Sequence, residues 1–361
     1  MVVAPGFYNG RVGEWYSGNG NAADQVSFFN GHGFLNLNVT ADRKYSATLR
    51  FEGQSLRFKG GFAQNGYSEL WIPRKGKPGL IIRLTSTGGA PGEIVGQVIS
   101  GARQLEFSVL PSVYDAKFGN NHPLVGRRYT MLLPTAGADL GHGYSTMSVA
   151  ANGTAKFVGK FADGTKLTMS SRIVNARNDA WVVPIHSSLS TNASGMVWGD
   201  IDIYKVEASG SGVLGGYLQW LRPANWKLSQ GAFLKDVYPA GQRYMPPQKG
   251  ISLLSGPMAP SSFVLTIISG FDSHQFVQSG IWPSSNKPML TTPVSGGMTV
   301  QFSAANGLLK GSFTRVINGK FVKIAYEGLV FTAPVSTPPL GTLRGGGFFS
   351  KGNWGGTYTL E

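Results

Sequence analysis

The 361 residues contain no cysteine. That excludes a disulfide staple, a thiolate nucleophile, cysteine-ligated zinc and iron–sulfur clusters. Charge is scarce as well: 14% of residues are Asp, Glu, Lys or Arg, against an ordinary ~25%. Acids are the rarer sign, 18 against 32 Lys and Arg. So few carboxylates leave little material for a catalytic acid pair or an oxygen shell around calcium. The five histidines, His32, His122, His142, His186 and His274, are dispersed and make no i, i+2 or i, i+4 pair, so no histidine metal site is expected. There is no uninterrupted apolar run long enough for a membrane-spanning helix. Met1 to Gly6 shows no basic stretch followed by an apolar core, so no signal peptide is read at this N-terminus.

What the chain has in excess is glycine, 51 residues, with 20 prolines. Its hydrophobic share of 42% and aromatic share of 12% suffice to fill packed cores. The apolar pattern has period two. Leu35, Leu37 and Val39 alternate with Asn36 and Asn38, and Met298, Val300 and Phe302 with Thr299, Gln301 and Ser303. Alternation puts one face in a core and the other in water, the mark of antiparallel strands. No helical stripe is sustained, and only short turns of helix are expected near Ala22–Val26 and Val113–Phe118. Asn152-Gly153, Asp163-Gly164, Asn306-Gly307 and Asn318-Gly319 separate alternating runs and predict two-residue hairpins with type I′ turns.

Two markers recur. Ser148 to Gly159 resembles Phe302 to Phe313, with a weaker copy at Val39–Tyr45. Gly6-Phe7-Tyr8, Gly126-Arg127-Arg128-Tyr129 and Gly241-Gln242-Arg243-Tyr244 recur at intervals of about 115–120 residues, near the modal domain size. The expectation is an all-β chain of three units, 1–125, 126–240 and 241–361, with strands that could be exchanged between them. Each unit has room for about eight strands, which favours tandem antiparallel up-and-down β-barrels; β-sandwiches are the alternative.

The net charge of +14 is spread evenly: +4 over 1–125, +6 over 126–250 and +4 over 251–361. Such a field favours anionic partners in general. The bases form no stripe or nucleic-acid reading motif, so nucleic acid is not the expected partner.

Several segments resemble a Gly-rich β-barrel module of very large exported bacterial surface proteins. They are Gly6-Phe7-Tyr8-Asn9-Gly10, Gly141 to Val149, Gly159 to Thr165, Gly216 to Trp220, Tyr238 to Gly241, Tyr326 to Phe331 and Gly347-Phe348-Phe349. A weaker similarity, through Gly346-Gly347-Phe348-Phe349, is to the barrels of transferrin-binding surface lipoproteins. Neither resemblance supplies catalytic residues. They imply an extracellular or cell-surface location beside adhesive or repeat domains.

The search for chemistry yields little. Gly210-Ser211-Gly212-Val213-Leu214-Gly215 fits G-x-G-x-x-G, but a strand-like run follows where a dinucleotide fold needs a helix, so no cofactor is expected. Asp139, His142 and Ser145 are neighbours in one Gly-rich turn, whereas a triad is assembled in space. Asp200 and Asp202 have strand spacing behind Trp198 and are the only candidates for a polysaccharide hydrolase. Two clusters interleave aromatics with bases: Trp220, Arg222, Trp226 and Lys227, and Trp71, Arg74 and Lys75. Aromatic faces stack on sugars and cations pair with sulfate or carboxylate, while core packing is the plainer role for tryptophan. The expected function is a non-catalytic extracellular module for adhesion, assembly or binding of an acidic or sulfated polysaccharide or a cell-surface component. A polysaccharide hydrolase and a structural subunit of a surface layer are the alternatives.

Overall fold

The computed structural model describes residues 3–15, 22–88, 92–112, 114, 119–135, 141–174, 180–189, 195–204, 213–222, 232–254, 261–270, 272, 274–337, 341–351 and 354–361. Trp226, Lys227, Asp139, Gly210-Ser211-Gly212 of the G-x-G-x-x-G run and all of the expected turn at 113–118 except Tyr114 lie outside these residues.

The chain forms three nearly closed antiparallel barrels in sequence order. Barrel 1 holds β1 (Gly6–Val12), β2 (Gly33–Val39), β3 (Lys44–Phe51), β4 (Gln54–Gly61), β5 (Tyr67–Ile72), β6 (Leu80–Ser86), β7 (Ile94–Ser100) and β8 (Arg103–Ser112). Its first and last strands pair, in the order β4-β3-β2-β1-β8-β7-β6-β5. Barrel 2 holds β9 (Arg128–Pro134), β10 (His142–Val149), β11 (Thr154–Lys160), β12 (Lys166–Arg172), β13 (Ala180–Ser188), β14 (Met196–Tyr204), β15 (Val213–Arg222), β16 (Phe233–Val237) and β17 (Ala240–Tyr244). Barrel 3 holds β18 (Ser261–Ser269), β19 (Gln275–Trp282), β20 (Met289–Leu290), β21 (Thr299–Ser303), β22 (Leu308–Ile317), β23 (Lys320–Thr337), β24 (Gly341–Lys351) and β25 (Trp354–Leu360). Among the described residues one α-helix, α1 (Ala22–Gly31), is longer than the single turn expected there and lies between β1 and β2.

The alternation explains the closure. On β3 the side chains of Tyr45, Ala47, Leu49 and Phe51 are buried, while Lys44, Ser46, Thr48 and Arg50 lie on the other face. Repeated around eight strands, this fills the interior with side chains and turns the polar face outward. Closure also removes most of the unpaired strand edge that a flat sheet would expose.

The turns differ in part from the type I′ expectation. Asn318 and Gly319 both have positive φ, 50° and 73°, and close a two-residue hairpin between Ile317 and Lys320. At the other three sites glycine alone is left-handed: Gly153 at 75°, Gly164 at 84° and Gly307 at 72°. There the Asn or Asp keeps negative φ and its side-chain oxygen accepts from the amide two residues on: Thr154 (3.1 Å), Thr165 (2.8 Å) and Leu308 (3.2 Å). This longer loop, with glycine at its bulge, competes with the two-residue turn for the same dipeptide.

The markers also have a structural meaning. The first two begin β1 and β9, but the third is β17, which pairs β9 through Arg243↔Tyr129 and Tyr244↔Arg128. Barrel 2 therefore runs on to Tyr244. The repeated hairpin is β10–β11 in barrel 2 and β21–β22 in barrel 3. These are the second and third strands of one barrel and the fourth and fifth of the other, which accounts for the irregular spacing in the last third of the chain.

Two seams join the barrels. Between barrels 1 and 2, α1 packs Phe28 with Met196, Trp198 and Leu221. Polar contacts surround that patch: Arg11 to Asp200 at 2.8 Å, Trp198 Nε1 donating to Gly33 O at 3.2 Å, and Asn9 Nδ2 donating to Arg172 O at 3.0 Å. Between barrels 2 and 3 the seam is apolar. Leu329, Phe331, Val335, Leu343 and Phe348 of barrel 3 join the core cluster of barrel 2. Glu327 completes it by accepting from Tyr144 Oη at 3.0 Å and pairing with Lys160.

Candidate functional site

On the outer face of barrel 1, strand register arranges the polar side chains in two rows. One runs Phe7–Asn38–Ser46–Lys59 across β1, β2, β3 and β4. The next runs Asn9–Asn36–Thr48–Arg57. Four strands span about 14 Å, and rows two residues apart are separated by about 7 Å. A third row begins at Arg11, Phe34 and Arg50 and passes beneath barrel 2, where Arg11 meets Asp200 and the Phe34 ring stacks 6.1 Å from that of His186. The two uncovered rows floor a groove of about 750 Å³, and Arg172 of barrel 2 forms its wall. The Arg172 guanidinium stands 3.6 Å over the Phe7 ring.

Among the described residues, the groove lining includes Arg57, Lys59 and Arg172 and no carboxylate. Asn9 is buried, held through Nδ2 by Arg172 O and by Ser171 Oγ at 3.4 Å, while its Oδ1 has no hydrogen-bond partner among the described residues. Chemically the groove offers cations at one end, amide and hydroxyl groups along its length, and an aromatic ring under a guanidinium at the other end. That set suits a chain of hydroxyls carrying carboxylate or sulfate.

A second groove of about 820 Å³ opens on the other side of Asn9, lined by Tyr67, Arg83, Gln97, Glu106, Glu14 and Asp200 among others. Its charges are mixed. Asp200 is engaged through both carboxylate oxygens by Arg11, at 2.9 and 2.8 Å. Asp202 shares the outer face of β14 with it, as the spacing requires. Among the described residues no group of three or more His, Asp or Glu converges to hold a metal ion.

The sequence-derived binding candidates are placed as follows. Trp220 is fully buried, stacked 4.5 Å from Phe161 and edge-on to Phe233 at 4.8 Å. Arg222 is buried 3.5 Å from Asp163, with its guanidinium over Phe233. This strand is covered on both faces, by the barrel core within and by α1 outside through Leu221, so Trp220 and Arg222 belong to the core and not to the surface. Arg74 is spent inside barrel 1, donating to Glu52 (2.8 Å), Ser100 Oγ (2.8 Å) and Pro78 O (2.7 Å). Trp71, 66% exposed, and Lys75 face solvent. The indole of Trp71 lies over Gly79, where a Cβ would come within 2.4 Å of Nε1. Apart from Phe7, Tyr8 and Asn9 of the Gly6–Gly10 segment, the groove residues belong to no recognisable motif and were missed. Their only signal is the polar half of the alternation, Asn36, Asn38, Ser46, Thr48, Arg57 and Lys59, with no acid among them.

Burial governs the histidines near these sites. His186 at the first seam is pushed down to about 3, by burial first and by the Arg50 charge second. His32 is also lowered by burial, though both ring nitrogens lie 2.6 Å from backbone carbonyls, of Phe28 and Glu14. Burial lowers His122 and His142 to about 4. None is poised to exchange protons with a ligand near neutrality.

No family model matches the sequence, and no curated protein matches it. Solved structures that match this chain include transferrin-binding protein B of Haemophilus parasuis, 11% identical over 99% of this chain and 75% of that one, with a TM-score of 0.23. The same protein from Neisseria meningitidis is 9% identical over 98% of this chain and 76% of that one, with a TM-score of 0.24. A candidate outer membrane protein of Bacteroides fragilis is 9% identical over 67% of this chain and 97% of that one, with a TM-score of 0.23. Scores this low transfer neither ligand nor partner to this chain.

Proposed function

We propose that this chain is a non-catalytic extracellular binding module whose barrel 1 groove holds an anionic polysaccharide. The observation that carries this reading is the pair of cross-strand rows ending in Lys59 and Arg57, faced by Arg172, in a groove with no carboxylate among its described lining residues. The even positive charge of the chain supports it by raising the local concentration of polyanion. Among the described sequence-derived candidates, Trp71 and Lys75, on and just after β5, are exposed to a ligand. The surface location rests on the resemblance of the Gly-rich segments to exported barrel modules.

The test is an equilibrium titration with polygalacturonate and with dextran sulfate, using uncharged dextran as the control. Wild type should bind an anionic polymer, more weakly as salt rises. The double variant Arg57→Glu/Lys59→Glu should weaken binding by roughly tenfold or more, since it reverses two of the cations at the site. A charge-matched control, Lys249→Glu/Lys287→Glu, changes net charge equally at exposed positions outside the groove and should change affinity by less than about twofold. Equal losses in both variants would reduce the effect to net charge, and no binding at low salt would remove the proposal altogether.

A further inference from the structure

The most exposed large apolar side chain among the described residues is Phe321, at 82%. It sits on the hairpin formed by β22 and β23, directly opposite Val316, itself 54% exposed. This hairpin outruns its neighbours. The β21 strand pairs β22 only as far as Ser312, and β24 pairs β23 only from Tyr326 onward. Among the described residues, Phe313 to Ala325 therefore pair only within the hairpin. Phe313 and Ile324 anchor it in the barrel 3 core, and Ile317 and Val322 pack against that core nearer the turn, so the hairpin is held firmly by its inner face while Val316 and Phe321 on the other face stay exposed.

The charge on the projection has one sign. Lys310, Arg315, Lys320 and Lys323 lie between Leu308 and Tyr326, and no Asp or Glu does. Arg315 makes a two-point pair with Asp272 from the connection after β18. Lys320 and Lys323 are exposed beside Phe321. An exposed aromatic flanked by lysines at a projecting tip costs solvation with no gain inside the fold. The same arrangement is favourable at a lipid interface, where the ring enters the acyl boundary and the ammonium groups meet anionic headgroups.

We infer that the β22–β23 hairpin docks barrel 3 onto an anionic lipid surface through Phe321 and Val316, with Lys320 and Lys323 on the headgroups. This is independent of the groove on barrel 1. The experiment is co-sedimentation of the full chain with vesicles of phosphatidylcholine alone, and of equal parts phosphatidylcholine and phosphatidylglycerol. Binding is expected to the mixed vesicles only. Phe321→Ser should lower partitioning by roughly tenfold, as expected for losing a large apolar contact, and being fully on the surface it should leave the thermal transition in place. Lys320→Glu/Lys323→Glu should remove the preference for phosphatidylglycerol. Because the chain has no cysteine, a polarity-sensitive dye on Val316→Cys reports the tip alone, and its emission should shift blue on the mixed vesicles. Failure to bind them, full binding by Phe321→Ser, or an unshifted dye would overturn the inference. So would loss of vesicle binding in Arg57→Glu/Lys59→Glu, which would assign the lipid headgroups to the groove.

Discussion

The same face, built from the first four strands of a barrel, meets two different fates in this molecule. On barrel 1 it carries the rows Phe7–Asn38–Ser46–Lys59 and Asn9–Asn36–Thr48–Arg57 and leaves a groove of about 750 Å³. On barrel 2 the corresponding rows are Arg128–Ser148–Lys156–Ser170 and Thr130–Thr146–Val158–Thr168. They are polar and basic too, yet only about 230 Å³ remains there, between Tyr129, Tyr244 and Asn306. Barrel 3 closes that space: Tyr244 Oη donates to Ala304 O at 2.6 Å and Arg128 to Ala305 O at 3.2 Å. A basic outer face is therefore not enough to make a site in this fold. What distinguishes the two faces is the next barrel, which seats over the face, with the hydrogen bonds of Tyr244 and Arg128 beside a shared apolar core, in one case and leaves the groove open in the other.

That contrast predicts unequal costs at the two seams. Phe348 is buried against Tyr144 and the barrel 2 core, and Phe348→Ala should cost about 3–5 kcal/mol, the usual range for emptying a buried aromatic site. Phe7 is half-buried under Arg172, and Phe7→Ala should cost about 1 kcal/mol, on the scale of a cation–π contact and a partly buried ring. Urea unfolding read separately for barrels 1 and 3, by hydrogen exchange, measures both. Similar costs for the two variants would erase the distinction between the two seams.

Acid should act along the same division. The four histidines with lowered pKa belong to barrel 2 or to its seam with barrel 1. His122 and His142 fall from 6.5 to about 4 on folding, so the unfolded chain binds more protons between those values. Their stabilisation is complete above pH 6.5 and is lost as pH falls toward 4, by roughly 3 kcal/mol each at 1.36 kcal/mol per unit. Exchange protection should then drop in barrel 2 and at the first seam before it drops in barrel 3. Simultaneous loss in all three barrels would show that the second seam couples them as tightly as a single core.

Much of the fold was legible because it depends on local rules. Alternation such as Leu35-Asn36-Leu37-Asn38 determines which side faces the core, and Gly at turns marks where strands end. The turn types were less legible: Asn-Gly serves both a two-residue turn and a glycine bulge, and only register decides between Asn318-Gly319 and Asn306-Gly307. The site was least legible. Trp220 and Arg222 look like a surface pair in sequence, yet a helix more than 180 residues earlier covers their strand. Asn36, Thr48 and Arg57 look like ordinary solvent-facing residues until register sets them side by side and barrel 2 supplies Arg172. Juxtapositions of this kind are made by tertiary contacts, and no local pattern encodes them.

The smallest expected effect concerns the edge of the groove. Trp71 is on β5, which packs against β4 where barrel 1 closes, but it does not line the groove. A ligand confined to the two rows would leave it untouched, so Trp71→Ala should alter polyanion affinity by less than about twofold and stability by about 0.5 kcal/mol or less, as for other exposed sites. The same polygalacturonate and dextran sulfate titrations check this. A loss matching that of Arg57→Glu/Lys59→Glu would mean that the polymer crosses the closing edge and stacks on the indole. The binding surface would then continue from the rows around the barrel, and the openness of barrel 1 would matter along its rim as well as against barrel 2.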